Sequence, residues 1–283
     1  MLLNGKVTQV YEDDRVFVLH SEENDYFIHI TIKELRIYKV YLDMLPNIIL
    51  ETDGEKEHYL NGKLTNMHEL LAFKRISVGE GSKEKVYFDQ DEIQTQVKEF
   101  INGLEYKMFL DLEFSWPVPY THMPSEIVQY GYIIVDGNDK VIEKRSSLIK
   151  PLRKSALNKK TLQFLGRKEE DFTDACSYIS FYQDLAKKID KYNIKIIAWG
   201  KNDLIALEKS FRLNHLAPLD VKSRFINIMQ VMKNYYQLRK EMGLFETYKK
   251  LTNSEYHEQT HDALEDAYLA KEIFMIFKEN INK

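Results

Sequence analysis

An apolar run that ends in two acidic residues constrains this chain more than any other feature. Residues 108–114 read Met-Phe-Leu-Asp-Leu-Glu-Phe, which is typical of a buried strand with Asp111 and Glu113 near its end. Side chains alternate along a strand, so the two carboxylates lie on one face, and Leu110, Leu112 and Phe114 lie on the other. Unpaired buried carboxylates cost on the order of several kcal/mol, and the usual remedies are a basic partner, a raised pKa or a divalent metal. Oxygen ligands alone favour Mg²⁺ or Mn²⁺, whereas the simpler alternative is a solvated strand end.

A further acidic residue follows a short apolar strand predicted at residues 194–199. Asn202 is the predicted N-cap of the next helix, which places Asp203 in the first turn of a helix that runs to Leu213. An acid in the first turn of a helix interacts favourably with the helix dipole, so Asp203 alone would be ordinary. Its position directly after a strand makes it a candidate for a site at the end of that strand.

The last motif is His-Asp-Ala-Leu-Glu-Asp-Ala at residues 261–267, which begins a helix with apolar residues at helical spacing. Asp262 and Glu265 predict a capping box, which leaves His261 just outside the helix and Asp266 in its first turn. Beside a carboxylate cluster, a histidine in this position is suited to accept a proton from water. The alternatives are a surface or capping histidine and an ordinary acid at a helix start.

Taken together, Asp111, Glu113, Asp203, His261 and Asp266 resemble the motif residues of the DEDDh 3′-to-5′ exonuclease superfamily in order and context. The resemblance covers about residues 105–280, and Asp-Leu-Glu at 111–113 and the motif at 261–267 are its most specific parts. Residues 111–116 and 124–129 are similar to the branch that includes histone-mRNA 3′ exonucleases and their bacterial relatives. The resemblance implies an α/β fold, an RNase H-like mixed β-sheet flanked by helices.

The same resemblance implies a reaction that depends on two divalent ions, Mg²⁺ or Mn²⁺, held about 4 Å apart. Asp111 would bridge both ions, Glu113 and Asp266 would hold the ion on the nucleophile side, and Asp203 would serve the second ion through water. His261 would deprotonate the attacking water, and nucleoside 5′-monophosphates would leave one at a time. The implied partner is the 3′ end of a single-stranded nucleic acid, with RNA favoured over DNA.

Side chains next to the acidic strand are candidates for binding this substrate, because a base stacked on an aromatic ring gains about 1–3 kcal/mol. Phe114 stands where the family commonly has threonine. A contact to the 3′-terminal sugar would then come from the backbone or from Ser115. The alternative is that these aromatic residues belong to the core or to a loop wall. The predicted substrate-binding residues are Leu112, Phe114, Ser115, Trp116 and Trp199.

The length of 283 residues and the charge distribution predict two domains. Residues 1–100 contain 12 Lys and Arg against 19 Asp and Glu, a net charge of −7, whereas the remainder carries +3. We predict a β-rich domain at 1–90, a connecting helix at 91–103 that ends at Gly103, and the exonuclease domain at 104–283. Within the last, the turn at 136–139 predicts a hairpin of strands 126–135 and 140–149.

The N-terminal domain is predicted from strand-like runs at residues 6–10, 16–19, 26–30 and 37–42. Residues 5–7 and 24–29 resemble cold-shock domains, which implies an OB-like barrel that presents aromatic rings to single-stranded nucleic acid. Phe17, Phe27 and His29 are the candidates for that face. Because this domain is acidic, the alternative is a domain that contacts a protein partner or stabilises the chain.

Two further observations concern location and binding. No apolar stretch approaches the 18 residues of a membrane span and no signal-peptide pattern begins the chain, so we predict a cytoplasmic protein without membrane contact. A run of basic residues near Pro151 could meet a phosphate backbone or form a solvated loop. Its members are Lys150, Arg153, Lys154, Lys159 and Lys160.

Two other classes of function compete with the exonuclease. His261 and Asp262 could be the dyad of an HD-type phosphohydrolase with His257 as a metal partner, but that class needs further histidine ligands, and the remaining histidines have no suitable placement. The chain could also be a nucleic-acid-binding protein or adaptor with an inactive nuclease fold. Inactivity would be unexpected, because all four carboxylates and the histidine are present.

Overall fold

The computed structural model describes residues 1–117, 124–253 and 261–283. The chain divides into two compact units, residues 1–96 and 97–283, and helix α2 (Gln90–Asn102) runs across the division. The domain limits given above stay a prediction. Across the described parts of the chain, no helix is both long and apolar enough to cross a bilayer.

The N-terminal unit is a closed β-barrel, which confirms the predicted β-rich module. The first three strands form an antiparallel meander, β1 also pairs with β4, and β5 pairs with β4 and, in parallel, with β3. The resulting order β1-β2-β3-β5-β4, with a helix between β3 and β4, is the connectivity of an OB fold. The strands are β1 (Leu2–Tyr11), β2 (Val16–Ser21), β3 (Asn24–His29), β4 (Asn47–Leu60), β5 (Lys63–Val78) and the edge strand β6 (Lys85–Asp89).

Helix α1 (Ile32–Leu42) replaces the strand predicted at residues 37–42, so that prediction is wrong. The helix begins with a capping box, in which the backbone N–H of Glu34 donates to Thr31 Oγ1 at 3.2 Å and the N–H of Thr31 donates to the Glu34 carboxylate at 2.8 Å. The β-branched and aromatic residues of this segment favour a strand locally. The cap and the burial of one helix face against the barrel core override that preference.

Two of the rings predicted to face a nucleic acid are buried. Phe17 is fully buried and stacks on Phe73 with 6.2 Å between the ring centres. His29 is 8% exposed and lies beside Glu69. A buried ring offers no face to a base, so the prediction is wrong for Phe17 and His29, while Phe27 is half-buried.

The C-terminal unit is built on a mixed six-stranded sheet in the order β10-β9-β8-β7-β11-β12. Strands β7, β8 and β9 are antiparallel, whereas β11 runs parallel to β7 and β12 parallel to β11. The predicted hairpin and the predicted RNase H-like mixed sheet are confirmed. The strands are β7 (Lys107–Phe114), β8 (Ile127–Val135), β9 (Val141–Lys150), β10 (Cys176–Ser177), β11 (Lys195–Ala198) and β12 (Phe225–Asn227).

Helices cover both faces of this sheet. Helices α4 and α5 pack on one face with the side chains of Leu110 and Leu112, and α6, α7 and α8 pack on the other, where Phe109 meets Phe274 of α8 at 5.3 Å. Because side chains alternate along β7, Asp111 and Glu113 lie on the same face as Phe109 and point towards α8. The helices are α3 (Lys159–Leu165), α4 (Tyr178–Tyr192), α5 (Asn202–Leu213), α6 (Ile228–Tyr235), α7 (Leu244–Thr252) and α8 (Ala263–Asn280).

Candidate active site

Strand β7 and helix α8 bring three carboxylates together. Asp111, Glu113 and Asp266 each offer an oxygen, and these oxygens all lie within 4.8 Å of one another. Asp111 is half-buried, whereas Glu113 and Asp266 are 6% and 7% exposed. The two acids of β7 point to the same face, and Asp266 approaches them from the first turn of α8. The alternation of residues 108–114 predicts the shared face of Asp111 and Glu113, whereas the approach of Asp266 depends on the packing of α8.

Asp203 lies beside this group, at the start of α5. Its side chain is buried and Oδ1 accepts a hydrogen bond of 3.0 Å from the backbone N–H of Leu112, directly between the two acids of β7. The N-cap of α5 is Lys201 rather than Asn202, so the predicted cap is wrong by one residue. Asp203 still lies in the first helical turn, because the helix begins at Asn202.

Burial and mutual repulsion raise the pKa values of these carboxyl groups. Burial, followed by the charges of the neighbouring acids, raises the pKa of Glu113 to about 8 and holds that of Asp111 well above its usual range. Burial also raises the pKa of Asp203 to about 7, although the hydrogen bond from Leu112 opposes the rise. Burial and the neighbouring acids thus both disfavour the ionised forms of Asp111 and Glu113. A hard divalent cation fits both this field and the oxygen ligands.

The N-terminus of α8 is held in place by a side chain from β8. Asp262 is the N-cap, as predicted, and its Oδ1 accepts hydrogen bonds from the backbone N–H groups of Leu264 and Glu265 at 3.0 and 3.2 Å. The buried Gln129 donates through Nε2 to Asp262 Oδ2 at 2.8 Å. Gln129 is not among the predicted site residues. The signal was available, because a glutamine within the apolar run 127–135 requires a buried partner.

Gly131 of β8 allows α8 to approach the sheet closely. A Cβ atom at Gly131 would lie 2.3 Å from the backbone nitrogen of Leu264 and 2.4 Å from the carbonyl carbon of Ala263. Because Gly131 pairs with Asp111 across β7 and β8, the helix start is seated directly over the acidic end of β7. The absent side chain thus allows Asp266 to reach the cluster.

His261 precedes this cap in a left-handed backbone conformation, with φ of 47°. Non-glycine residues rarely adopt this conformation, and it recurs at functional sites. The imidazole stacks on Phe164 of α3 with 4.0 Å between the ring centres, and burial lowers the pKa of His261, which favours the neutral ring. His257, which the HD-type alternative requires, lies outside the described residues.

Trp116 extends this aromatic contact to the surface. Its ring is 43% exposed and meets Phe164 edge to face at 6.0 Å, with Lys160 Nζ 6.0 Å from the ring centre. The backbone N–H of Trp116 donates to Thr161 Oγ1 at 2.9 Å, which fixes the residue on α3. Sequence analysis did not single out Phe164, because its meeting with the other two rings depends on tertiary packing.

The other predicted substrate-binding residues are less accessible. Leu112 is 3% exposed in the core, and Phe114 is half-buried against the same core. Ser115 is buried and its Oγ accepts from the N–H of Glu126 at 2.9 Å. Trp199 is half-buried and donates through Nε1 to the Met242 carbonyl at 3.0 Å. Contact between these residues and a substrate stays a prediction.

The basic run near Pro151 is partly engaged within the protein. Arg153 pairs with the buried Glu126 at 2.7 Å, and Lys154 pairs with Glu169 at 2.9 Å. Lys150 and Lys159 are exposed. Lys160 is the member of this run that lies next to the exposed Trp116 ring.

Comparison with known proteins places this site in a family. A family model described as Exonuclease matches residues 108–274. The probable 3′-5′ exonuclease KapD of Bacillus subtilis (strain 168) is 26% identical over 177 residues, which span 61% of this chain and 84% of KapD. The nuclease domain of 3′hExo, a DEDDh family member, matches with a TM-score of 0.56 and 16% identity over 63% of this chain and 94% of that one. Cell-death related nuclease 4 matches with a TM-score of 0.53 and 18% identity, over 63% and 64% of the two chains.

The Exonuclease match covers more than half of the chain, and it begins in β7 and ends in α8, the elements that carry the converging carboxylates. The similarity to the solved nucleases shows the RNase H-like fold. The chain therefore belongs to the Exonuclease family.

Proposed function

We propose that the protein hydrolyses single-stranded nucleic acid from its 3′ end, with RNA favoured over DNA, and releases nucleoside 5′-monophosphates. The convergence of the Asp111, Glu113 and Asp266 oxygens within 4.8 Å of one another carries this proposal. Such a group at the end of a central strand has no evident stabilising role, because burial and mutual repulsion raise the pKa values of Asp111 and Glu113.

The carboxylates would hold two divalent ions, Mg²⁺ or Mn²⁺. When bound, such ions stabilise the attacking and the leaving oxygen of an in-line phosphodiester displacement. Asp111, Glu113 and Asp266 would serve as ligands, and Asp203 would serve the second ion through water. The hydrogen bond from Leu112 N–H to Asp203 would orient that carboxylate relative to β7.

His261 would accept the proton of the attacking water. Its lowered pKa keeps the imidazole neutral and able to accept a proton at pH 7. Stacking on Phe164 limits the ring to a narrow range of orientations, and the adjacent N-cap Asp262 anchors the backbone on its C-terminal side. Protons would then leave to solvent through the partly exposed imidazole.

Trp116 would stack on a base of the incoming strand, since a single strand offers unpaired base faces. Lys160, 6.0 Å from the centre of the same ring, would meet a backbone phosphate. Both side chains are carried by segments tied to α3, whose Phe164 contacts His261. This arrangement supports a path for one strand from Trp116 towards the histidine.

The preference for RNA rests on resemblance. Two solved structures that share the fold are a 3′hExo nuclease domain bound to rAMP and a 3′-exonuclease that recognises the 3′ end of a histone mRNA stem-loop. A contact to the 2′-hydroxyl would separate RNA from DNA in this chain.

The direct test uses purified protein with matched 5′-labelled single-stranded RNA and DNA, in Mn²⁺ and then in EDTA, resolved on a sequencing gel. A ladder that shortens from the 3′ end in Mn²⁺, and faster on RNA, is expected. Asp111→Asn should abolish turnover and retain strand binding, because it removes a metal ligand and leaves Trp116 and Lys160 unchanged. Asp190→Asn, an exposed carboxylate on α4, is the matched control and should keep full activity. Full activity of Asp111→Asn would refute the proposed site.

A further inference from the structure

A second group of metal-ligating side chains lies in the N-terminal barrel. His29 of β3, His58 of β4 and Glu69 of β5 each offer one ligand atom, and these atoms all lie within 4.8 Å of one another. We call these three residues the barrel cluster. It uses two imidazoles where the nuclease site uses carboxylates alone, so it has a different metal preference.

The spacing of His29 and Glu69 suits a small transition metal. His29 Nδ1 lies 3.1 Å from Glu69 Oε1, and His58 Nε2 contacts the same oxygen. A tetrahedral Zn²⁺ with ligand bonds of about 2.0–2.1 Å requires ligand atoms about 3.3 Å apart. His29 and Glu69 hold this spacing through the backbone, because they are directly paired across β3 and β5.

The burial of the barrel cluster argues against a simple surface ion pair. His29 is 8% exposed, and the side chains of Glu69 and His58 are 17% and 26% exposed. Within the described residues, His29 Nε2 is buried without a hydrogen-bond partner. Burying two imidazoles and a carboxylate side by side costs free energy, and coordination of a cation by all three would offset part of that cost.

We propose that the barrel cluster binds one Zn²⁺ through His29 Nδ1, His58 Nε2 and a carboxylate oxygen of Glu69, with a water in the fourth position. The two imidazoles stack at 3.7 Å and 15°, so the more exposed His58 ring turns out of the stack on binding to aim its lone pair at the ion. Imidazole nitrogens with one carboxylate suit Zn²⁺ and disfavour Mg²⁺.

The position of the barrel cluster gives the ion a structural role. The barrel closes where β3 meets β5, and this parallel pairing consists of two residue pairs, Ile28 with His68 and His29 with Glu69. The other pairings of the barrel strands are longer. A Zn²⁺ held by β3, β4 and β5 would join three strands at the shortest seam of the barrel and stabilise its closure.

The test uses the full-length chain with Asp111→Asn throughout, which weakens metal binding at the nuclease site. Metal-free protein is dialysed against Zn²⁺ in excess Mg²⁺, and bound zinc is counted; Co²⁺ serves as a spectroscopic probe through its visible absorption. Glu69→Gln and His58→Gln remove ligands with similar side-chain size. His20→Gln is the matched control, since His20 pairs with Asp25 at 2.8 Å on the exposed surface of the same unit.

We expect one Zn²⁺ per chain in the parent and in His20→Gln, at least tenfold weaker binding in Glu69→Gln and His58→Gln, and a rise in the melting temperature of the parent on adding Zn²⁺. If the parent binds no Zn²⁺, that result alone overturns the proposal. Equal zinc binding by the parent and by folded Glu69→Gln and His58→Gln, judged by far-ultraviolet circular dichroism, would also overturn it.

Discussion

Replacing Gly131 by alanine should lower the activity of a protein that still folds. A Cβ atom there would lie 2.3–2.4 Å from three backbone atoms of Ala263 and Leu264. Ordinary contacts between carbon atoms are about 3.5–4.0 Å, so the start of α8 must move by on the order of 1 Å. Backbone atoms cannot turn aside as a flexible side chain does, and the movement therefore carries the first turn of the helix with it.

This displacement would move Asp266 relative to Asp111 and Glu113, whose oxygens now lie within 4.8 Å of its own. A misplacement of about 1 Å costs about 10²-fold in rate, and overpacking a well-packed contact costs about 1–3 kcal/mol of stability. We therefore expect Gly131→Ala to lower kcat about 10²-fold and the free energy of unfolding by about 1–3 kcal/mol.

The assay is single-turnover cleavage of a 5′-labelled single strand at a temperature well below the melting transition, with stability measured by urea unfolding. Gly137→Ala is the matched control, because its Cβ would meet the nearest atoms, in Glu105, at an ordinary 3.8 Å. That variant should keep its rate. A folded Gly131→Ala protein that cleaves at the parent rate would refute the argument that this glycine seats the catalytic helix.

Three further predictions concern the same site. His261→Ala should lower the rate about 10²- to 10⁴-fold and flatten the lower limb of the pH–rate profile, and a full rate would move the base elsewhere. Trp116→Ala should weaken binding of a single strand about 5- to 150-fold with a smaller change in kcat, measured by fluorescence anisotropy; unchanged affinity would remove it from the strand path. The raised pKa of Glu113, about 8 against 4.5 for the unfolded residue, means that its contribution to stability is complete below pH 4.5 and is lost as the pH rises through 8. The melting temperature of metal-free protein should fall over that window, and Mn²⁺ should raise it more at pH 8 than at pH 6; an equal shift would contradict this.

The central features of the nuclease unit were predictable from the sequence. Alternation along residues 108–114 places Asp111 and Glu113 on one face, and helix-start signals place Asp203 and Asp266 in first turns; the structure agrees on each point. These signals are local and depend on backbone geometry that neighbouring residues determine. The contacts made by Phe164 and Gln129 depend on distant segments, so periodicity alone does not predict them.

The structure of the N-terminal unit was harder to predict from the sequence. Strands β4 and β5 form its longest hairpin, and sequence analysis did not predict them, although Asn61-Gly62, both at positive φ, is a strong hairpin signal. The strand assigned to residues 37–42 followed β propensity and passed over the Thr31–Glu34 cap. Long, twisted strands with charged exposed faces carry a weak alternation signal, and turn and cap residues are then the better guide.

The most direct test of the proposed reaction is the identity of the first product. A single-stranded RNA labelled at its 3′-terminal nucleotide is mixed with excess protein in Mn²⁺, stopped early and separated by thin-layer chromatography. Water attack at a site built by Asp111, Glu113, Asp203 and Asp266 predicts that the label leaves first as a nucleoside 5′-monophosphate. Label released first in longer oligonucleotides, or as a nucleoside without its 5′-phosphate, would contradict the account.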